Sequence, residues 1–157
     1  MSQDVEVQVL SAAQMVLNNK ILATGVFVSD MDGKILCLHR KINFVEGGKY
    51  GVPGGVIRKH RGIVGTAIYK LENEVGLIYK KEDLELIGKF EYKSGDKSIV
   101  FHLFSLRIAD KRAENIEVNL NLEGHDRYFW ETPQNLLKRT DLMVGMYTLL
   151  PAYINKL

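Results

Sequence analysis

The sequence has 157 residues, a length that suits one domain with its own hydrophobic core. Apolar residues make up 46% and charged residues 25%, a mixture that excludes a disordered or fibrous chain. Lys and Arg number 21 against 19 Asp and Glu, and the formal net charge of +2 gives no reason to expect nucleic-acid binding. Because no segment resembles a secretory signal or an apolar membrane span, we expect a cytoplasmic protein with no membrane partner, folded as a single domain over residues 1–157.

The first part of the chain is rich in strand-forming residues. Residues 11–17 begin with the capping-box pattern Ser-x-x-Gln and can form a short helix, but the alternating valines at 5, 7 and 9 also fit a strand. Residues 23–29 and 35–39 predict a hairpin around the turn Asp-Met-Asp-Gly. The only cysteine, Cys37, excludes an intramolecular disulfide and lies in an apolar run that predicts a buried strand thiol.

The middle of the chain predicts a glycine-rich turn followed by a helix. Residues 43–51 have no periodic pattern and predict a loop that leads into Val-Pro-Gly-Gly at 52–55. Apolar residues at 63, 67, 71 and 75 then recur at helical spacing. Gly76 follows them at the place where a left-handed cap ends a helix, so this segment predicts the central helix.

The second half predicts another hairpin, a long polar loop and terminal helices. Residues 84–92 and 98–108 are the strands of the hairpin, and 110–123 is a polar stretch long enough to be functional. Residues 127–131 predict a short strand, with Trp130 in the core. Thr132-Pro133 then opens a helix, and 141–156 predicts a last helix interrupted by Pro151. The order predicts an α/β (α+β) domain with a mixed sheet between helices.

The segment 53–77, PGGVIRKHRGIVGTAIYKLENEVGL, joins the glycine turn to the central helix. Glycines let a backbone approach a diphosphate closely, and carboxylates one helical turn apart can hold divalent cations against phosphate oxygens. This segment resembles the Nudix box, G-x5-E-x7-R-E-U-x-E-E-x-G-U, in which U is bulky and aliphatic. From Gly55 the frame continues without a gap, and the matching residues are Leu71, Glu74, Gly76 and Leu77.

The resemblance implies a Nudix fold and a nucleoside diphosphate derivative as the ligand, but most of the acidic positions of the box differ. Where the box has Glu, Arg, Glu and Glu, this chain has Arg61, Tyr69, Lys70 and Asn73. Only Glu74 remains of the metal-binding set, and Lys70 places an ammonium among the ligand positions. We therefore do not expect a cluster of two or three magnesium ions.

The chain is similar to one Nudix branch with a reduced acidic pair, the GDP-mannose mannosyl hydrolases. In that branch a single magnesium is held by the last helix glutamate, a glycine carbonyl and a loop side chain, and a histidine base assists cleavage of the sugar C1–O bond. Glu74 matches the glutamate and Gly54 the carbonyl donor. The run HDRYFW matches the histidine segment, which makes His125 the candidate base, and Arg40 matches an arginine that stabilises the departing nucleoside diphosphate.

Three positions depart from that branch. Gly124 stands where the loop metal ligand is expected, and Glu123 is the nearest replacement. Gly25 stands in place of a catalytic aspartate, and Phe101 in place of a tyrosine. These departures leave open whether the protein is an active enzyme.

Three functions are compatible with these residues. The first is hydrolysis of a nucleoside-diphosphate sugar with one Mg²⁺ at Glu74 and His125 as base. The second is conventional phosphoanhydride hydrolysis, with Glu123 or other loop acids completing a metal site. The third is an inactive Nudix fold in which Arg61 and Lys70 neutralise a diphosphate beside Gly55 without any metal. The resemblance is also compatible with a homodimer. The box does not specify which base and which sugar the ligand carries.

Overall fold

The computed structural model describes residues 7–9 and 15–157, which form a mixed sheet with helices on its faces. The strands of the described residues are β1 (Val7–Val9), β2 (Met15–Leu17), β3 (Lys20–Ser29), β4 (Ile35–Arg40), β5 (Tyr50–Gly51), β6 (Gly54–Val56), β7 (Glu85–Ser94), β8 (Lys97–Arg107) and β9 (His125–Glu131). The α-helices are α1 (Gly62–Val75), α2 (Pro133–Leu136) and α3 (Met146–Asn155), with 3₁₀ turns at Lys81–Asp83 and Ala113–Asn115. The mixed α+β fold predicted from the sequence is confirmed.

The expectation of a helix at 15–17 is wrong, because these residues form β2. Asn18 and Asn19 have positive φ angles of 52° and 63° and make a tight turn between β2 and β3. Two successive residues with positive φ match the twist of a hairpin, and asparagine adopts that conformation readily. The capping-box residues 11 and 14 lie outside the described part of the chain.

Strand β3 lies at the centre of the sheet. It runs parallel to β8 along its whole length and antiparallel to β6 through Ala23, Thr24 and Gly25. The predicted hairpin of β3 and β4 is present, but the two strands pair only at Ser29 and Ile35. Beyond that point β4 pairs with β9 on one side and with β5 on the other, so the predicted loop 43–51 ends in a short strand.

Two hydrophobic cores lie on opposite faces of the sheet. One packs α2 and α3 against residues such as Phe27 and Leu103, and the other packs α1 against residues such as Val26 and Phe104. Trp130 is half-buried and packs against the α1 core. None of the helices in the described residues combines the length and apolarity that a bilayer crossing requires.

The helix ends agree with the sequence except at α3. Gly76 ends α1 in the left-handed conformation, with φ of 72°, and the Thr132 hydroxyl accepts a hydrogen bond from the Asn135 N–H at the start of α2. Helix α3 begins at Met146 rather than at 141, because residues 141–143 first pair with Tyr50 of β5: the Tyr50 N–H donates to the Asp141 carbonyl and the Met143 N–H donates to the Tyr50 carbonyl. Pro151 lies inside α3 and does not end it.

Candidate functional site

The glycine turn holds Glu74 through a backbone hydrogen bond. The Gly54 N–H donates to Glu74 Oε1 at 3.0 Å. A Cβ at Gly54 would collide with the Thr24 carbonyl oxygen and lie 2.7 Å from the Gly25 Cα. Only glycine therefore fits between β6 and β3 at this position, and its N–H is the group that binds the Glu74 carboxylate of α1.

Lys70 lies beside this carboxylate, one turn earlier on α1. Its Nζ is 3.9 Å from Glu74 Oε2, and the two side chains are only 19% and 14% exposed. Lys70 also packs on the turn, since a Cβ built at Gly55 would lie 3.0 Å from its Cε and 3.3 Å from its Nζ. An ammonium group thus lies on the helix face where the Nudix box has a metal-binding carboxylate.

Burial shifts the titration of Glu74 into the neutral range. Desolvation raises the pKa of Glu74 from 4.5 to about 7, against the opposing effects of Lys70, the Gly54 N–H and Arg40. Near neutral pH the carboxyl group is therefore present in both protonation states. A group with this pKa can accept or release a proton at working pH, which an ordinary surface glutamate cannot do.

His125 begins β9 and lies opposite Arg40 of β4, at a shift in register after His39. The imidazole is buried, with 6% of the residue exposed. Desolvation, together with the charges of Arg40, Lys70 and His39, lowers the pKa of His125 to about 4, against the opposing effect of Asp126. The ring is therefore neutral at physiological pH.

Arg40 interacts electrostatically with both titrating groups, Glu74 and His125. Its Nε donates to the Val45 carbonyl at 2.9 Å, which anchors the guanidinium at the end of β4. Its charge acts on both the Glu74 carboxyl and the His125 imidazole. Four of the residues singled out from the sequence, Glu74, Lys70, Arg40 and His125, therefore form one cluster beside the glycine turn.

Two other candidates lie apart from this cluster. Arg61 is exposed at the start of α1, and its guanidinium stacks 3.7 Å from the centre of the Tyr69 ring. Glu123 is exposed, and its N–H donates to Asn121 Oδ1 at 2.9 Å. Neither charge is among those that shift the pKa of Glu74 or of His125. The roles predicted for Arg61 and Glu123 remain predictions.

The polar loop that carries Glu123 is tied to the end of α1. The Asn121 N–H donates to the Glu74 carbonyl at 2.8 Å, and Asn121 Nδ2 donates to the Asn73 carbonyl at 3.2 Å. These bonds bring the loop against the two carbonyls at the C-terminal end of the helix. The loop thereby leads directly into β9, where His125 is placed.

The donor groups of the cluster do not fit a magnesium cluster. Within residues 15–157, no three His, Cys, Asp or Glu side chains lie close enough together to hold a metal ion. One oxygen of Glu74 accepts the Gly54 N–H, and the other faces the Lys70 ammonium. Mg²⁺ requires several oxygen ligands in near-octahedral geometry, and this arrangement offers one carboxylate beside a cation.

A network next to His125 was not identified from the sequence. His39 is buried, its Nδ1 lies 2.7 Å from Asp126 Oδ1, and its Nε2 lies 3.1 Å from the Arg127 guanidinium. The Tyr50 ring packs against His39 with centroids 4.8 Å apart. The signal for this network in the sequence was the run of charged and polar residues at His125, Asp126 and Arg127. Only the pairing of β4 with β9 brings His39 to that run.

The family model for the NUDIX domain matches residues 19–153. The chain belongs to the Nudix family. Nudix hydrolases generally use divalent metals such as Mg²⁺ or Mn²⁺. At one of the acidic positions of the box, this chain has Lys70 in place of a glutamate. A comparison with curated proteins finds no match.

Solved structures share the Nudix fold with this chain at low sequence identity. The MutT protein of Methanosarcina mazei is 16% identical, with a TM-score of 0.73 over 87% of this chain and 94% of its own. A MutT NUDIX hydrolase of Burkholderia pseudomallei is 18% identical, with a TM-score of 0.69 over 85% and 97%. The NUDIX domain of Shewanella oneidensis NrtR, complexed with ADP ribose, is 14% identical, with a TM-score of 0.69 over 87% and 88%.

Proposed function

We propose that this Nudix domain binds a nucleoside diphosphate derivative with protein cations in place of a metal cluster. The position of Lys70 is the single observation that carries the proposal. Its ammonium lies against Gly55 and 3.9 Å from Glu74, on the helix face from which the box presents metal ligands. A diphosphate brought to the glycine turn would meet this cation directly, and no metal ion would be needed to neutralise it.

Arg40 supplies a second cation to the same place. Among the described residues its guanidinium is hydrogen-bonded only through Nε, to the Val45 carbonyl. The two terminal nitrogens can therefore donate to phosphate oxygens in the forked geometry that guanidinium offers. The NrtR domain, a structural neighbour, binds ADP ribose, and this supports a nucleoside diphosphate derivative as the class of ligand.

Glu74 acts as the positioning group in this proposal. It accepts a hydrogen bond from Gly54 and pairs with Lys70, so it holds the turn and the cation in one geometry. Because its pKa is about 7, protonation would release Lys70 to bind phosphate alone. Nucleotide affinity is therefore expected to rise as the pH falls below 7.

The test is a binding titration with a panel of nucleoside diphosphate derivatives, including ADP ribose and GDP-mannose, with EDTA and with Mg²⁺. Affinity is expected to persist in EDTA and to fall roughly tenfold or more in Lys70→Met, the loss of one charge-assisted contact. Lys81→Met, which removes an exposed lysine outside the cluster, is the matched control. Binding that appears only with Mg²⁺, or no binding of any member of the panel, would contradict the proposal.

Restoring the box tests whether the scaffold still positions a diphosphate for cleavage. The double variant Lys70→Glu, Asn73→Glu places three carboxylates on one face of α1, together with Glu74, and is expected to gain magnesium-dependent phosphoanhydride hydrolysis. Phosphate or nucleoside monophosphate release is measured with and without Mg²⁺. A variant that folds and binds nucleotide but does not turn over would show that more than the acidic residues has been lost.

A second candidate function is hydrolysis of a nucleoside-diphosphate sugar at the sugar C1–O bond. The pairing of His125 with Arg40 favours it, because a neutral imidazole lies next to a cation that can stabilise a departing diphosphate. The imidazole would accept the proton of the attacking water. With GDP-mannose in ¹⁸O water, label in the sugar indicates this reaction, whereas label in phosphate indicates phosphoanhydride hydrolysis. His125→Gln is expected to lower the rate by roughly 10², and unchanged turnover would remove the residue from the reaction.

A further inference from the structure

A cavity of about 640 Å³ lies at the opposite end of α1 from the Glu74 cluster. Strands β2, β3, β7 and β8 and the first turn of α1 line it, and it is open to solvent on one side. None of the four cluster residues lines it. Ile63 lines the cavity and precedes Lys70 by seven positions on α1. This separation corresponds to about 10 Å along the helix. The cavity is therefore separate from the proposed nucleotide site.

The inner surface of the cavity is largely aliphatic. Its apolar lining consists of six aliphatic residues, Met15, Leu17, Leu22, Ile57, Ile63 and Val100, together with Phe90. Ile63, in the first turn of α1, is 42% exposed, whereas Ala67, Leu71 and Val75 further along the helix are buried. Pockets that bind small molecules commonly measure roughly 300–1,000 Å³ and are lined mainly by apolar side chains. Both the size and the lining of this cavity fall within that description.

The charges around the cavity are positive in sum. Lys20 pairs with Glu91, with Nζ 3.0 Å from Oε2, and these two charges offset each other. Lys59 and Lys89 also line the cavity, and within the described residues neither takes part in an ion pair or a side-chain hydrogen bond. An anionic group at the rim would therefore meet two ammonium groups that have no carboxylate partner there.

We propose that this cavity binds a small anion with a hydrocarbon body, an acyl carboxylate whose chain fills the aliphatic lining and whose head group pairs with Lys89 and Lys59. Burial of the chain supplies most of the affinity, because apolar area removed from water is stabilising. The two lysines supply the preference for an anion over a cation of the same length. Neither contribution depends on nucleotide binding.

Decanoate is the probe, titrated into the full-length protein by calorimetry. We expect one saturable site, and at least tenfold weaker binding of decyltrimethylammonium, which has the same chain and the opposite charge. Lys89→Glu is expected to weaken decanoate binding at least tenfold. Lys93→Glu is the matched control, because Lys93 is exposed on the same face of β7 but does not line the cavity.

A second variant tests the apolar part of the site. Ile63→Trp adds bulk at an exposed position of the lining and is expected to weaken decanoate binding without lowering the melting temperature. The absence of saturable decanoate binding would overturn the proposal. So would equal affinity for the two probes, or equal effects of Lys89→Glu and Lys93→Glu. Nucleotide titrations of the same variants are expected to be unchanged, which separates this result from the outcome of the proposed function.

Discussion

Glu74→Gln isolates the free energy that the buried carboxyl group costs the folded protein. Folding raises the pKa of Glu74 from 4.5 to about 7. Between these two pH values the unfolded chain has lost the proton and the folded chain has kept it, so the unfolded state binds fewer protons. Stability therefore falls as the pH rises through this window and is constant above it. Glutamine cannot ionise, and its amide oxygen can still accept the Gly54 N–H.

The magnitude follows from the width of the window. A separation of about 2.5 pH units, at about 1.4 kcal/mol per unit, corresponds to roughly 3–4 kcal/mol over the whole window. The side chain is only 14% exposed, so solvent screening takes away little of this energy. Relative to the Gln variant, the native protein is expected to lose about 3 kcal/mol of unfolding free energy between pH 4 and pH 8.

Urea unfolding at a series of pH values measures this difference. Any pH-independent difference in unfolding free energy between the two proteins reflects the changed contacts with Lys70 and Gly54. Only the pH-dependent part of the difference reports the ionisation of Glu74. Glu72→Gln is the control, because it makes the same substitution at an exposed position of the same helix. If the Glu74→Gln difference did not change between pH 4 and pH 8, the Glu74 carboxyl group would not be desolvated as described.

Three further predictions concern the neighbouring residues. Gly54→Ala forces a Cβ against the backbone of β3 and is expected to destabilise the protein by more than about 2 kcal/mol in thermal unfolding, whereas Gly124→Ala, with open space at its Cβ, is expected to change little. The His125 ring should show no titration between pH 5.5 and 8 by NMR, because its pKa is lowered to about 4, and Arg40→Gln should raise that pKa. Burial raises the pKa of the Cys37 thiol to about 12, so a thiol reagent should label it only after unfolding; rapid labelling of the native protein would contradict its place in the core.

Most of the fold could be predicted because its signals are local. The 3.6-residue spacing of apolar positions and the glycine that follows them predicted α1 and its left-handed cap at Gly76. The alternating strand segments likewise predicted β7 and β8. The error at residues 15–17 arose from competing local signals, since a capping box pointed to a helix while the turn at Asn18 and Asn19 produced a hairpin.

The site could be predicted only in part. The spacing of the box identified Gly54, Gly55 and Glu74, because it is a local pattern of a turn and one helix face. The charged residues at 125–127 were a signal for a polar network, but nothing local connected His39 to them, because its partners Asp126 and Arg127 come from a strand much later in the chain. Nor did it show that Arg61 would stack on Tyr69 at the surface, because the position of an N-terminal helix residue depends on how the turn enters the helix.

The sequence by itself determined that this chain has a Nudix frame and that a lysine stands where a metal-binding carboxylate is expected. Both are properties of residue type and spacing along one turn and one helix. Only the tertiary structure decided the charge states of the site. The packing of α1 on β6 desolvates Glu74, and the pairing of β4 with β9 places Arg40 beside His125. Desolvation and charge proximity depend on segments that are distant in the chain, and these two effects set the pKa values on which the chemistry depends.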